Sequence, residues 1–145
     1  MKPEGDRPIT EPVLIDTGPM VAIFSGGDEF HTVCVEQMRR IRGPLVTCWP
    51  VITEAAWLLR DYPQAVRKLL AALDGRTFQL AILAEADSAG VSAVLEKYKT
   101  LRIQLADAAL VHVANRDQLN IVFTLDRRDF GVIRSRRGQT FRLIP

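Results

Sequence analysis

Five short apolar runs recur along the chain: Val13-Leu14-Ile15, Leu45-Val46-Thr47, Phe78 to Leu83, Ile121 to Thr124, and Phe141 to Ile144. They are rich in β-branched and aromatic residues and nearly unbroken by polar positions. That is the pattern of strands buried on both faces, as in a parallel sheet. Longer amphipathic stretches lie between them. Thr17 to Phe24, Asp28 to Arg42, Pro50 to Asp61, Gln64 to Leu73, Ala84 to Tyr98 and Leu105 to Leu119 read as helices. Gly43-Pro44 stops the second, Pro50 suits the first turn of the third, and Asp74-Gly75 reads as a turn. No internal repeat or linker interrupts the series. Strands alternating with helices predict a three-layer α/β/α sandwich around a central, mostly parallel sheet of about five strands.

The composition fits one such domain. The 145 residues are 48% hydrophobic and 25% charged, which supplies a core and excludes disordered and low-complexity classes. No apolar run approaches the ~18 residues of a membrane span. Residues 1–12 hold three prolines and five charged side chains without an apolar stretch. They read as a loose tail before a domain over 13–145, and not as a secretory signal. Two cysteines, Cys34 and Cys48, cannot build a disulfide framework, so a reducing, cytoplasmic setting is expected. Two histidines, His31 and His112, leave little for a nucleophilic triad or a His-rich zinc site. Trp49 and Trp57 suit core or interface packing, and His112 suits a structural place on its helix.

A parallel sheet binds ligands where its strands end and its helices begin. Four acids fall there. Asp16 directly follows the first strand, and Asp126 lies two residues after the fourth. Glu54 opens the helix after the second strand. Asp107 sits at the start of a helix that must run antiparallel to the strand it feeds. Asp107 also shares a helix face with Leu110, Val111 and Ala114, the face that packs on the sheet. No Lys or Arg stands on that face to neutralise it. Each acid alone has a plain explanation as a helix cap or a first-turn residue. Four such residues sharing one edge instead suggest a cluster that needs a divalent cation, and Mg²⁺ and Mn²⁺ favour oxygen ligands. Such an ion activates water and steadies a phosphodiester in hydrolysis.

Charge points the same way. The net charge is only +2, but residues 127–145 carry six arginines against one acid. Arg127, Arg128, Arg134, Arg136 and Arg137 are candidate RNA contacts, since guanidinium matches phosphate geometry.

The segments Asp16-Thr17-Gly18-Pro19, Thr53-Glu54-Ala55, Leu105 to Leu110 and Thr124 to Phe130, in that order, resemble the PIN-domain ribonucleases. The compact layout is most similar to their VapC-type toxin members, over roughly residues 12–145. The resemblance implies a metal-dependent endoribonuclease with Asp16, Glu54, Asp107 and Asp126 as its acidic, metal-holding site. Thr17 and Thr124 match positions for supporting hydroxyls, and Asp129 is a further acid ranked below Asp126. It also implies a homodimer and a cognate antitoxin whose tail reaches the acidic site. Two other functions are weighed against it. An aspartyl-phosphate enzyme using Asp16 would want a second Asp two residues on, where Gly18 stands. Loss of an acid would suggest a non-catalytic RNA- or protein-binding module, but all four are present.

Overall fold

The computed structural model describes residues 4–145. Five strands form one sheet: β1 (Val13–Ile15), β2 (Leu45–Thr47), β3 (Phe78–Leu80), β4 (Ile121–Phe123) and β5 (Arg142–Ile144). The order is β3-β2-β1-β4-β5 and every pair is parallel. β1 is central, and Val13, Leu14 and Ile15 are wholly buried. This is why that run shows no polar alternation: both faces of the strand meet helices. Among the described residues seven α-helices, α1 (Thr17–Phe24), α2 (His31–Arg40), α3 (Trp49–Leu58), α4 (Pro63–Asp74), α5 (Ser88–Lys97), α6 (Leu105–Asp117) and α7 (Arg127–Val132), cover the two faces of the sheet. Leu110, Val111 and Ala114 turn inward on α6, as the spacing predicts.

The chain winds from β1 to β2 and β3 on one side, then returns past β1 to lay down β4 and β5 on the other. The winding reverses between β1 and β4. In open parallel sheets a crevice forms at that reversal, beyond the carboxyl ends of the strands.

Several boundaries differ from the sequence expectation. β3 ends at Leu80 and not Leu83, because it is an edge strand whose partner β2 has stopped; the last bond runs from Ala81 N–H to the Thr47 carbonyl. The stretch Asp28 to Arg42 is helical only over α2. Asp28 instead accepts the Phe30 N–H at 2.8 Å, a local bond that competes with helix. Ala84 to Tyr98 begins as a 3₁₀ turn, Glu85–Asp87, in which Asp87 accepts the Ala84 N–H. α7 has no counterpart in the sequence pattern, since six residues give too little periodicity to read.

The segment before Val13 is not loose throughout. Ile9 is buried and pairs in parallel with Ile41. Its N–H reaches the Arg40 carbonyl at 2.9 Å, and its own carbonyl accepts from Arg42 at 2.7 Å. Gly43 makes this possible, because a Cβ there would collide with the Thr10 and Glu11 carbonyls. Residues 1–3 of the expected tail lie outside the described residues. Of the core or interface packing expected for Trp49 and Trp57, the core half fails: they are 54% and 64% exposed. The Arg60 guanidinium covers one face of the Trp57 ring at 4.2 Å.

Candidate active site

Asp16 leaves β1 at its carboxyl end, at the reversal of the winding, and is 5% exposed. It stands at the N-cap of α1 but makes no side-chain cap bond. The capping explanation therefore fails for this residue. Its Oδ2 accepts the Thr124 hydroxyl at 2.8 Å, while its Oδ1 is buried with no hydrogen-bond partner among the described residues. Thr124 follows β4 directly and also accepts the Asp126 N–H at 3.0 Å. One hydroxyl thus ties the ends of β1 and β4 together and fixes the carboxylate between them. The Thr17 hydroxyl is likewise buried without a partner beside this carboxylate.

Burial, then the neighbouring Asp107 carboxylate, push Asp16 up from its ordinary value to about 7; the Thr17 backbone N–H and the Thr124 hydroxyl hold it back in part, and Glu54 adds a little to the rise. Burial and Asp107 raise Glu54 as well. Asp107 is raised by burial and by Asp126 and Asp129. Partial burial and Asp126 raise Asp129. Each of the other four acids is thus electrostatically coupled to Asp107, which makes it the hub of the cluster.

The sequence-predicted acids are not equivalent in this geometry. Glu54 lies early in the second turn of α3 and is half-buried. Asp107 returns one oxygen, Oδ2, to the Gln104 N–H at 3.0 Å, so it also caps α6. Asp126 is exposed, and its Oδ1 caps α7 by accepting the Asp129 N–H at 3.0 Å. For these two, the capping explanation and proximity to the cluster hold together. Asp129, ranked below Asp126 from sequence, is the more buried of the pair.

Among the described residues, no three acid, His or Cys side chains stand close enough to be a ready-made ligand cage. Electrostatic coupling reaches further than coordination, so the two observations are compatible. Two of the carboxylates also turn an oxygen to their own helix ends. The donor set nonetheless suits a hard divalent cation. It is all oxygen, it centres on a buried carboxylate oxygen with nothing to bind, and Mg²⁺ takes only one or two carboxylates and keeps its waters.

The arginines divide. Arg127 and Arg128 open α7 beside the rim; Arg127 donates to the Pro145 carbonyl, and Arg128 lies near Asp129. Arg134 and Arg136 lie elsewhere, along α5 and α6, and Arg137 is exposed on the same hairpin. Sequence reading missed a cluster on that side: Asp87 bonds His112 Nε2 at 2.8 Å and Arg116 at 3.2 Å. The i, i+4 spacing of His112 and Arg116 on one helix was the available signal. Cys48, at the N-cap of α3, is pushed up to about 11 by burial, so it is a packed thiol and not a nucleophile.

Thr124→Val tests the tie between the strands. It keeps the shape and removes the bonds to Asp16 and to the Asp126 N–H. We expect a stability loss of about 1–3 kcal/mol in urea denaturation, and an Asp16 pKa moved further up because a bond to its charged form is gone. Wild-type values for both would show that the hydroxyl positions nothing.

The profile of the PIN domain family matches residues 13–134. Ribonuclease VapC26 of Mycobacterium tuberculosis is 31% identical over 135 residues, spanning 92% of this chain and all of that protein. Among solved structures, the VapC20 toxin of M. tuberculosis, described as cleaving the sarcin–ricin loop, superposes with a TM-score of 0.74 at 14% identity, over 80% of this chain and 91% of that one. A toxin–antitoxin complex from Klebsiella pneumoniae gives 0.66 at 20% identity, over 83% and 92%. VapBC2 of Rickettsia felis, bound to a promoter DNA fragment, gives 0.63 at 10% identity, over 92% and 97%. At these identities the structural likenesses speak for the fold.

Proposed function

The chain belongs to the PIN domain family, in its VapC branch, and from that premise we propose that it is an endoribonuclease using Mg²⁺ or Mn²⁺ and acting as the toxin of a toxin–antitoxin pair. The observation that carries the catalytic part is the state of Asp16: buried, one oxygen held by Thr124, the other without a partner, and raised by burial and Asp107. A full negative charge so placed is costly unless a cation joins it.

In this reading Asp16, Glu54, Asp107 and Asp126 would hold the ion. A divalent cation there would neutralise the carboxylates, lower the pKa of a water and steady charge on the phosphodiester. Thr124 keeps Asp16 aimed, and Thr17 offers a second hydroxyl beside it. Glu54, half-buried and raised by burial and by Asp107, would add a carboxylate from α3 to the ion-holding set. Asp126 would join it from the N-terminus of α7, which its Oδ1 also caps. Asp129 adds charge at the rim, and Arg127 and Arg128 offset it next to the substrate's phosphates.

The name of the M. tuberculosis relative supports ribonuclease chemistry, and the antitoxin-bound neighbours support an antitoxin partner. Homodimerisation belongs to the same proposal. It is supported by the large apolar side chains left in solvent, Trp57, Leu58, Tyr62 and Leu70 among them. A cytoplasmic place of action goes with it; among the described residues no helix is long and apolar enough to cross a membrane.

The test is cleavage of RNA by the purified chain. Activity should disappear with EDTA and return with Mg²⁺ or Mn²⁺ in excess. Cleavage undiminished by chelation would overturn the metal-dependent reading. RNA binding without cleavage in either metal would favour a binding module.

A further inference from the structure

The acidic rim that suits a cation is poorly suited to hold RNA. Asp16, Glu54, Asp107, Asp126 and Asp129 crowd one edge, and one divalent ion leaves that edge negative. A polyanion needs its affinity from elsewhere on the surface. Arg127 and Arg128 stand among those acids.

A cavity of about 420 Å³ lies between α5, α6 and the hairpin closed by the Arg134–Thr140 pairing. Its lining includes Lys97, Tyr98, His112, Arg116, Arg134 and Arg136. Two bonds hold its walls in place. The Tyr98 hydroxyl accepts the Arg134 N–H at 2.9 Å, and Asn115 Oδ1 accepts the Arg136 N–H at 2.8 Å. The acids nearby are already engaged. Asp87 is paired with His112 and Arg116, and Asp117 with Arg116. Among the described residues, the Lys97 and Arg136 side chains donate to no carboxylate. Lys97 rests over the Tyr98 ring at 5.4 Å, and Arg136 is exposed. Gly90 lets the groove form: the His112 ring lies so close against it that a Cβ would collide with the ring.

The groove shares α6 with the rim. Asp107 is at one end of the helix and Asn115 eight residues on, about 12 Å at ~1.5 Å per residue. A strand reaching over the surface from the rim to the groove therefore spans at least roughly three or four nucleotides at a ~3.4 Å rise.

We infer that this groove is an anchor for the RNA backbone, in which Lys97 and Arg136 take phosphates a few nucleotides from the bond cleaved at the rim. It rests on the ribonuclease reading above. Free guanidinium and ammonium groups beside an aromatic ring are the usual composition of a single-strand binding track.

Lys97→Gln with Arg136→Gln removes both charges and no bond the fold uses. The probe is a fluorescein-labelled single-stranded RNA of about 20 nucleotides, bound in EDTA and read by anisotropy across a salt series. Arg67→Gln with Lys68→Gln on exposed α4 removes the same net charge elsewhere. Loss of two phosphate contacts should weaken binding about 25-fold at ~0.1 M salt and flatten the log K against log salt slope by about 1.4. The α4 pair should stay within about twofold of wild type. In Mn²⁺ the groove pair should raise KM and leave kcat in place.

Unchanged affinity and slope in the groove pair would overturn the anchor, as would an equal loss in the α4 pair. RNA binding intact but binding of a polyglutamate peptide lost would assign the groove to an acidic protein instead. A wild-type chain that binds RNA through the groove but cleaves none in Mn²⁺ would spare the anchor and sink the nuclease reading.

Discussion

Asp16→Asn should make the metal-free protein more stable at pH 8 while removing its RNA cleavage. The two effects share one cause. Asp16 titrates ordinarily near 3.8 and in the fold near 7. Between those values the folded state keeps a proton that the unfolded chain has released. Stability from this group is therefore complete below about pH 4, falls as pH rises through 7, and is flat above. The full span corresponds to about 4 kcal/mol at ~1.4 kcal/mol per pH unit. Asparagine carries no charge to desolvate, and its amide oxygen can still accept from Thr124. Its NH₂ then takes the place of Oδ1, which has no partner, and this offsets part of the gain. A net increase of about 2 kcal/mol is expected at pH 8, with the loss of stability between pH 4 and 7 much reduced. Cleavage should fall on the order of 10³-fold, the scale on which preorganised electrostatic groups act. Chemical denaturation across pH checks the first effect. A variant less stable than wild type at pH 8 would mean that Asp16 is not held at a desolvation cost.

The second large effect concerns Asp107. Because its charge is the largest one raising both Asp16 and Glu54, Asp107→Asn should lower the pKa of each while burial keeps both above ordinary values. The fold should survive, since an asparagine oxygen can accept the Gln104 N–H that Asp107 Oδ2 accepts now. Cleavage should drop by about 10²-fold or more. Carbon-13 titration of the carboxyl groups reads the shift directly. An Asp16 pKa that stays put would show that the two carboxylates do not share a field, and the hub assignment would go with it.

The sheet was legible because buried parallel strands are written as unbroken apolar runs; Val13-Leu14-Ile15 and Ile121-Val122-Phe123 could hardly be anything else. The edge strand was less so. Phe78 to Leu83 stays apolar past the point where its partner ends, and no periodicity marks that limit. α7 escaped notice because its signal is one cap, Asp126 to the Asp129 N–H, in a segment that also reads as a turn. At the site, chain order and strand ends were enough to bring Asp16 and Asp107 to one rim. They could not say which acids also cap helices, because a first-turn acid and a site acid occupy the same positions. Thr124 was legible as a nearby hydroxyl but not as the tie between β1 and β4, which depends on Asp16 and a residue 108 positions away meeting across adjacent strands. The Lys97–Arg136 groove was invisible for the same reason: one residue ends α5, the other sits on a hairpin near the far end of the chain. Their meeting is a fact of packing.

The central claim is that the carboxylates around Asp16 are arranged for a divalent cation. Its most direct test is the melting temperature of wild type and Asp16→Asn at pH 8 as Mn²⁺ is titrated into metal-free protein. An ion that binds only the folded state stabilises by RT ln(1 + [L]/Kd), or about 2.7 kcal/mol at a hundredfold excess over Kd. Wild type should climb with Mn²⁺ towards the variant's higher metal-free value, and the variant should hardly move. Equal shifts in both proteins, or no shift in wild type, would contradict the account.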